Sequence, residues 1–153
     1  SKSKKLTDEF DIIAFGGGNF TKEQEVLINK LGFHEGQIKH VEGDDSLLAQ
    51  YYSSASVFVN PSLYEGFGLT PLEAMSYNCP VVSSNTSSMP EVIGNAAEFF
   101  NPESNDDMRQ AIENVVYSPS KSKDLIEFGI ERCKLFSWER CSNETLSIYK
   151  KIL

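Results

Sequence analysis

The 153-residue chain has few cysteines, histidines and basic residues, and it has no long apolar run. Its three cysteines, Cys79, Cys133 and Cys141, form no Cys-x-x-Cys pair, and bridging any two leaves one over. That excludes a disulfide scaffold and points to free thiols in a reducing compartment, with Cys133 and Cys141 expected to pack. The two histidines, His34 and His40, have no partner at metal-binding or catalytic spacing, so both are expected to be structural and no metal is expected. Lys and Arg number 14 against 22 Asp and Glu, a net charge of −8, which argues against a nucleic-acid binder because phosphate backbones are held by clustered cations. Any phosphate must therefore be held locally. No apolar stretch is long enough to span a membrane, no signal-peptide pattern opens the chain, and no fixed-period repeat or low-complexity segment occurs. The expected compartment is the cytoplasm, with a membrane-peripheral placement left open for a full-length protein. The chain opens on Ser1, which suggests a soluble piece of something longer, and its length and 40% hydrophobic content suit one α/β domain.

What is present is an alternation of strand and helix patterns. Residues 1–6 are polar and basic and read as the frayed end of a preceding helix or a linker from an upstream region, with Lys2, Lys4 and Lys5 solvated. Residues 10–15 read as a first strand, followed by the Gly16-Gly17-Gly18 turn and a helix capped by Thr21, with Gln24 three residues on and Gly32 past its end. The glycines invite a dinucleotide reading. Against it, Thr21 stands where the third glycine belongs, and no acid ends a second strand at the right distance. Residues 38–42 read as the second strand, and Gly43-Asp44-Asp45-Ser46 as the turn into a helix reaching about Ser54, with Asp45 or Ser46 as its cap. Residues 80–83 and 97–100 are further strands, and helices are expected over 104–117, 119–136 and from Ser137 onward. The last carries Trp138, Cys141, Leu146, Ile148, Tyr149 and Ile152, with the Trp expected in a core. Ser88 and Glu91 have capping-box spacing; a functional reading instead places Ser87 and Ser88 near a ligand.

The chain is organised around Pro61 to Met75. Val57-Phe58-Val59 reads as a buried strand ending at Asn60-Pro61, and a glycine loop follows. Gly66 and Gly68 are expected to supply backbone geometry and close ligand approach that a Cβ would block, while Thr70-Pro71-Leu72-Glu73 reads as a cap, a first-turn proline and an acid three residues on. A helix start leaves backbone N–H groups unpaired at the positive end of its dipole, which suits a diphosphate. Glu65 and Glu73 beside such a site would repel phosphate, so their partners are expected to be sugar or ribose hydroxyls. The alternative is that Glu73 closes a capping box with Thr70 and Glu65 is a solvated acid.

Glu65-Gly66-Phe67-Gly68-Leu69-Thr70-Pro71-Leu72-Glu73-Ala74-Met75 resembles the E-x7-E signature of retaining glycosyltransferases of the GT-B fold, the family 4 group with many mannosyl- and glucosyltransferases. The resemblance runs through Gly16 to Gly18, Val57 to Ser62, Cys79 to Ser84, Met89 to Gly94 and Phe136-Ser137-Trp138-Glu139. It implies an α/β, Rossmann-like parallel sheet with helices on both faces, the C-terminal, donor-binding half of a GT-B enzyme spanning residues 1–153 without its N-terminal acceptor domain. It implies glycosyl transfer from a nucleotide diphosphate sugar, GDP-mannose or UDP-glucose, to a saccharide or lipid-linked acceptor, with retention and with no metal or other cofactor. Carried over by residue, Glu65 is catalytic and binds donor-sugar hydroxyls, Glu73 binds the ribose, and the backbone at Gly66, Phe67, Gly68, Leu69 and Thr70 takes the phosphates. Gly43, Asp44, Asp45 and Leu48 lie on the nucleotide-base side. The family's basic pair would lie upstream of residues 10–18, so the isolated piece is expected to bind nucleotide weakly and not to transfer sugar. The final helices are expected to leave apolar surface uncovered. Two other readings stay open, a noncatalytic nucleotide-binding or interaction domain and a GT-B nucleotide-sugar epimerase relative.

Overall fold

The computed structural model describes residues 3–152; Ser1 and Lys2, the latter part of the expected lysine cluster, lie outside the described residues. The chain divides between Tyr51 and Tyr52 into two compact units.

In the first unit, residues 4–6 are helical, but they start α1 (Lys4–Glu9) rather than end a preceding helix or form a linker. Ser3 caps it, accepting from the Leu6 N–H at 3.3 Å. Strand β1 (Ile12–Phe15) pairs in parallel with β2 (Ile38–Val41), Ile12 opposite Ile38 and Phe15 opposite Val41. Between them, α2 (Lys22–Leu31) starts with the expected capping box: Thr21 Oγ1 accepts from Gln24 N–H, and Gln24 Oε1 accepts from Thr21 N–H. It stops at Gly32, whose left-handed φ of 72° no β-carbon residue adopts cheaply. Gln37 is buried because its amide does three tasks: Nε2 donates to the Thr7 and Phe10 carbonyls, and Oε1 accepts from His34 N–H. His40 Nε2 lies 2.9 Å from the Gly16 carbonyl, so this histidine is structural as expected.

Helix α3 (Asp45–Ser54) crosses the division, and the second unit continues as β3 (Phe58–Asn60), α4 (Leu69–Ser76), β4 (Val81–Ser84), α5 (Met89–Ile93), β5 (Ala97–Phe100), α6 (Asn105–Val116), α7 (Pro119–Cys133) and α8 (Trp138–Ile152). The strands form a parallel sheet in the order β3-β4-β5, with Phe58 opposite Val81 and Val81 opposite Ala97. All four residues of β4 are buried, as a central parallel strand requires. Val82 and Phe100 of the sheet meet Ala111 and Val115 of α6 and Leu125 of α7 in one core. Helix α7 approaches α4 closely at Gly129, where an added Cβ would stand 3.0 Å from Met75 Cγ. Ser104 and Ser118 cap α6 and α7, and Ser137 Oγ accepts from Arg140 N–H at the start of α8.

Two expectations fail at the end of the chain. Trp138 is 80% exposed, not core, and α8 has no buried residue, so its apolar side chains stand uncovered as anticipated for this region. Cys141 is exposed rather than packed, whereas Cys133 is half-buried with its thiol donating to the Leu72 carbonyl at 3.3 Å. All three cysteines are free thiols.

Candidate functional site

The loop between β3 and α4 lies at the carboxyl end of a parallel strand, where ligands of such sheets bind. Its carbonyls are held by hydroxyls from the β4–α5 turn. Ser87 Oγ donates to the Glu65 carbonyl at 2.7 Å, and Ser88 Oγ reaches the Phe67 carbonyl at 2.8 Å and the Glu65 carbonyl at 3.1 Å. Ser84 Oγ donates to the Ser62 carbonyl at 2.6 Å, and Thr86 Oγ1 to the same carbonyl at 3.3 Å. Ser88 therefore does not form the capping box anticipated with Glu91: it starts α5 in helical geometry with no side-chain cap bond, because its hydroxyl is committed to the loop. Ser87 takes a left-handed φ of 55°, rare for a residue with a side chain.

With those carbonyls fixed, the donors of the same loop are left over. Among the described residues, no partner accepts from the backbone N–H groups of Gly66, Phe67, Gly68, Leu69 or Thr70. Helix α4 begins at Leu69 with Gly68 as its cap residue, and no side chain caps it. This corrects the expected start: Thr70 is the second helical residue, and Glu73 lies a turn in, without the capping-box role or the first-turn place foreseen for it. The cause is Gly68, whose φ of 103° turns the chain into the helix two residues early. Pro71 is thereby the third helical residue, where its missing N–H costs nothing. An added Cβ at Gly68 would stand 2.2 Å from Met89 Cε, and Asn60 Nδ2 holds Met89 Sδ at 3.1 Å. Gly66 is different: a Cβ there meets nothing within 4 Å, and its φ lies outside the left-handed region. Its expected backbone role is not found.

Of the two carboxylates, Glu65 is half-buried and receives a hydrogen bond from Ser62 Oγ at 2.7 Å on one oxygen. Glu73 is exposed. Tyr52 is held above the usual range, at about 12, chiefly by burial and then by the charges of Glu73 and Cys79. It packs edge-on against Phe58 and stacks on Tyr77. Burial likewise pushes Cys79 up to about 11. The nucleotide-base candidates belong to the other unit's chain segment. There Asp44, not Asp45 or Ser46, caps α3, with Oδ1 accepting from Leu47 N–H at 2.9 Å. A Cβ added at Gly43 would stand 2.5 Å from Leu47 Cδ2, so the Leu47 side chain would have to shift to admit one. Asp45 is the exposed first residue of α3 and Leu48 is half-buried.

The sequence reading did not single out Ser62, Ser84 and Thr86. In the sequence they stand only as hydroxyl residues at the ends of β3 and β4 and just beyond, in Asn60-Pro61-Ser62 and Ser83-Ser84-Asn85-Thr86, with nothing local to say that they meet. No cluster of potential metal ligands occurs among the described residues.

The chain is similar to several known proteins. The family described as Glycosyl transferases group 1 matches residues 1–132. The O-antigen chain mannosyltransferase B of Escherichia coli is 40% identical over 131 residues, 84% of this chain and 34% of its own. The MMP alpha-(1->4)-mannosyltransferase of Mycolicibacterium hassiacum is 33% identical over 135 residues, 84% of this chain and 32% of its own. The chain thus spans about a third of the length of these curated relatives. Among solved structures, the sucrose-phosphate synthase of Thermosynechococcus elongatus superposes with a TM-score of 0.80 at 27% identity, over 92% of this chain and 38% of the other. The expected α/β architecture of parallel strands and helices is the one found, and its structural neighbours are GT-B glycosyltransferases. The family match takes in the whole strand, glycine loop and helix of the site, and the chain belongs to the group 1 glycosyl transferases.

Proposed function

We propose that the chain is the donor-binding half of a longer retaining glycosyltransferase, taking a mannosyl group from a nucleoside diphosphate sugar, GDP-mannose ahead of UDP-glucose, to a saccharide or lipid-linked acceptor. The observation that carries this reading is the polarity of the loop: its Glu65 and Phe67 carbonyls are tied to Ser87 and Ser88, while the N–H groups from Gly66 to Thr70 have no partner among the described residues. Such a row of donors at the positive end of a helix suits the two phosphates and the charge that builds on them as the glycosyl bond breaks. Glu65, one oxygen already held by Ser62, offers the other to donor-sugar hydroxyls at the reacting end. Glu73 takes the ribose hydroxyls. Open space at Gly66 fits a ligand's close approach, since among the described residues nothing stands within 4 Å of where its Cβ would be. The mannosyl preference draws on the two mannosyltransferase relatives. The E-x7-E roles, the retention, the nucleotide, the absence of a metal requirement, the base-side residues Gly43, Asp44, Asp45 and Leu48, and a cytoplasmic setting belong to this same reading.

The test is a thermal-shift titration of the chain with GDP and UDP, beside Glu73→Ala. Binding to the folded state raises stability by about 2.7 kcal/mol when ligand exceeds its Kd about a hundredfold. A rise with one nucleotide that is lost in Glu73→Ala is expected. Equal rises in both proteins would overturn the role of Glu73, and no rise with either nucleotide at millimolar concentration would overturn donor binding by this chain.

A further inference from the structure

The glycine loop is braced from a second direction, by residues well outside the 65–73 segment. The Phe67 ring meets the Phe136 ring edge-on, centroids 5.7 Å apart and planes at 86°. The Arg132 guanidinium lies over that Phe136 ring, 5.3 Å from its centroid. The same guanidinium holds the last turn of α5: Nε donates to the Val92 carbonyl at 2.7 Å and Nη2 to the Glu91 carbonyl. Helix α5 in turn follows directly on Ser88, whose hydroxyl grips the Glu65 and Phe67 carbonyls. The contacts close a ring, from the loop through Ser88 and α5 to Arg132, then Phe136, and back to Phe67. All its members belong to the second unit.

We infer that Arg132 and Phe136 are positioning residues that fix the backbone of Phe67, and with it the row of free N–H donors, from outside the loop. The hydroxyls of Ser87 and Ser88 fix carbonyl oxygens but leave Phe67 able to pivot about them. The Phe136 edge stops that pivot from the side-chain end. Arg132 serves both halves of the ring at once, as a cation on an aromatic face and as a double donor to a helix end. Phe67 is 45% exposed, so its own burial does not immobilise it. For donor binding, the consequence rests on the reading of this loop as the phosphate site.

The experiment compares the chain with Phe136→Ala, Phe136→Tyr and Arg132→Gln by 15N relaxation at Gly66, Phe67 and Gly68, with thermal melts to show that each variant is folded, and with GDP and UDP titration. In Phe136→Ala the order parameters of the loop are expected to fall from the rigid range near about 0.85 towards about 0.6. Nucleotide binding should weaken about threefold to tenfold, the scale set by one aromatic pair. Phe136→Tyr keeps the edge contact and should restore both; Arg132→Gln should loosen the loop in the same way. A loop equally rigid in Phe136→Ala, or a loosened loop that binds nucleotide as before, would overturn the inference. If the parent chain itself binds neither nucleotide, the donor reading fails while the relaxation data alone still decide whether the brace exists.

Discussion

Gly66 and Gly68 look interchangeable in the sequence and are not in the structure. Gly68→Ala combines a φ of 103° with a Cβ driven into Met89 Cε, and is expected to lose about 1–3 kcal/mol of stability by chemical denaturation. Gly66→Ala meets no neighbour and should stay within about 0.5 kcal/mol, yet abolish the nucleotide-induced rise in melting temperature. A second residue-scale prediction concerns alkali. Tyr52 and Cys79 are held protonated in the folded state, at about 12 and about 11 against ordinary values of 10.0 and 9.0. Folding then binds protons that the unfolded chain releases, so stability is intact below about pH 9 and falls as pH rises through these windows. Tyr52→Phe should flatten the decline between about pH 10 and 12, seen in melts at stepped pH. What the sequence could not disclose at this scale is competition for a hydroxyl. Ser88 and Glu91 have the spacing of a capping box, but two loop carbonyls distant in sequence claim the Ser88 oxygen.

That competition separates the elements too. Helix α2 was legible because its signals are local: Thr21 and Gln24 bond each other's backbone, and Gly32 ends the helix one residue later. Helix α4 was legible in existence but not in its start, because the left-handed turn at Gly68 opens the helix ahead of the cap pattern at Thr70 to Glu73, and a glycine's φ is not written in its neighbours. The loop and its two glutamates could be read as a site from their spacing. The Ser62, Ser84 and Thr86 hydroxyls that hold it could not, since they converge only once β3 and β4 pair. For α5 the two accounts make opposite predictions. A capping box would make Ser88→Ala and Glu91→Ala cost alike, whereas the observed bonds predict a loss of about 0.5–1.5 kcal/mol for Ser88→Ala and little for Glu91→Ala, measured by denaturant titration.

Across the whole molecule the apolar core is uneven. The buried hydrophobic side chains among the described residues run from Tyr52 to Leu125, all in the second unit. Amides of β1 and β2 are therefore expected to exchange hydrogen faster than those of β3, β4 and β5 in native-state exchange. The alternation of strands and helices was readable from hydrophobic pattern; this imbalance was not, because burial of Ile12 or Leu27 depends on what lies across from them. The strand order of the larger sheet carries a further consequence. It follows chain order, β3-β4-β5, so each new strand docks on the one made just before it. On a ribosome, where chains emerge from the N-terminal end, this sheet needs no strand from outside residues 58–100 and is expected to close only after Phe100 and its covering helix leave the tunnel. The thinly cored segment before Tyr52 has by then waited longest in the open, and nascent-chain protease exposure should fall hardest there.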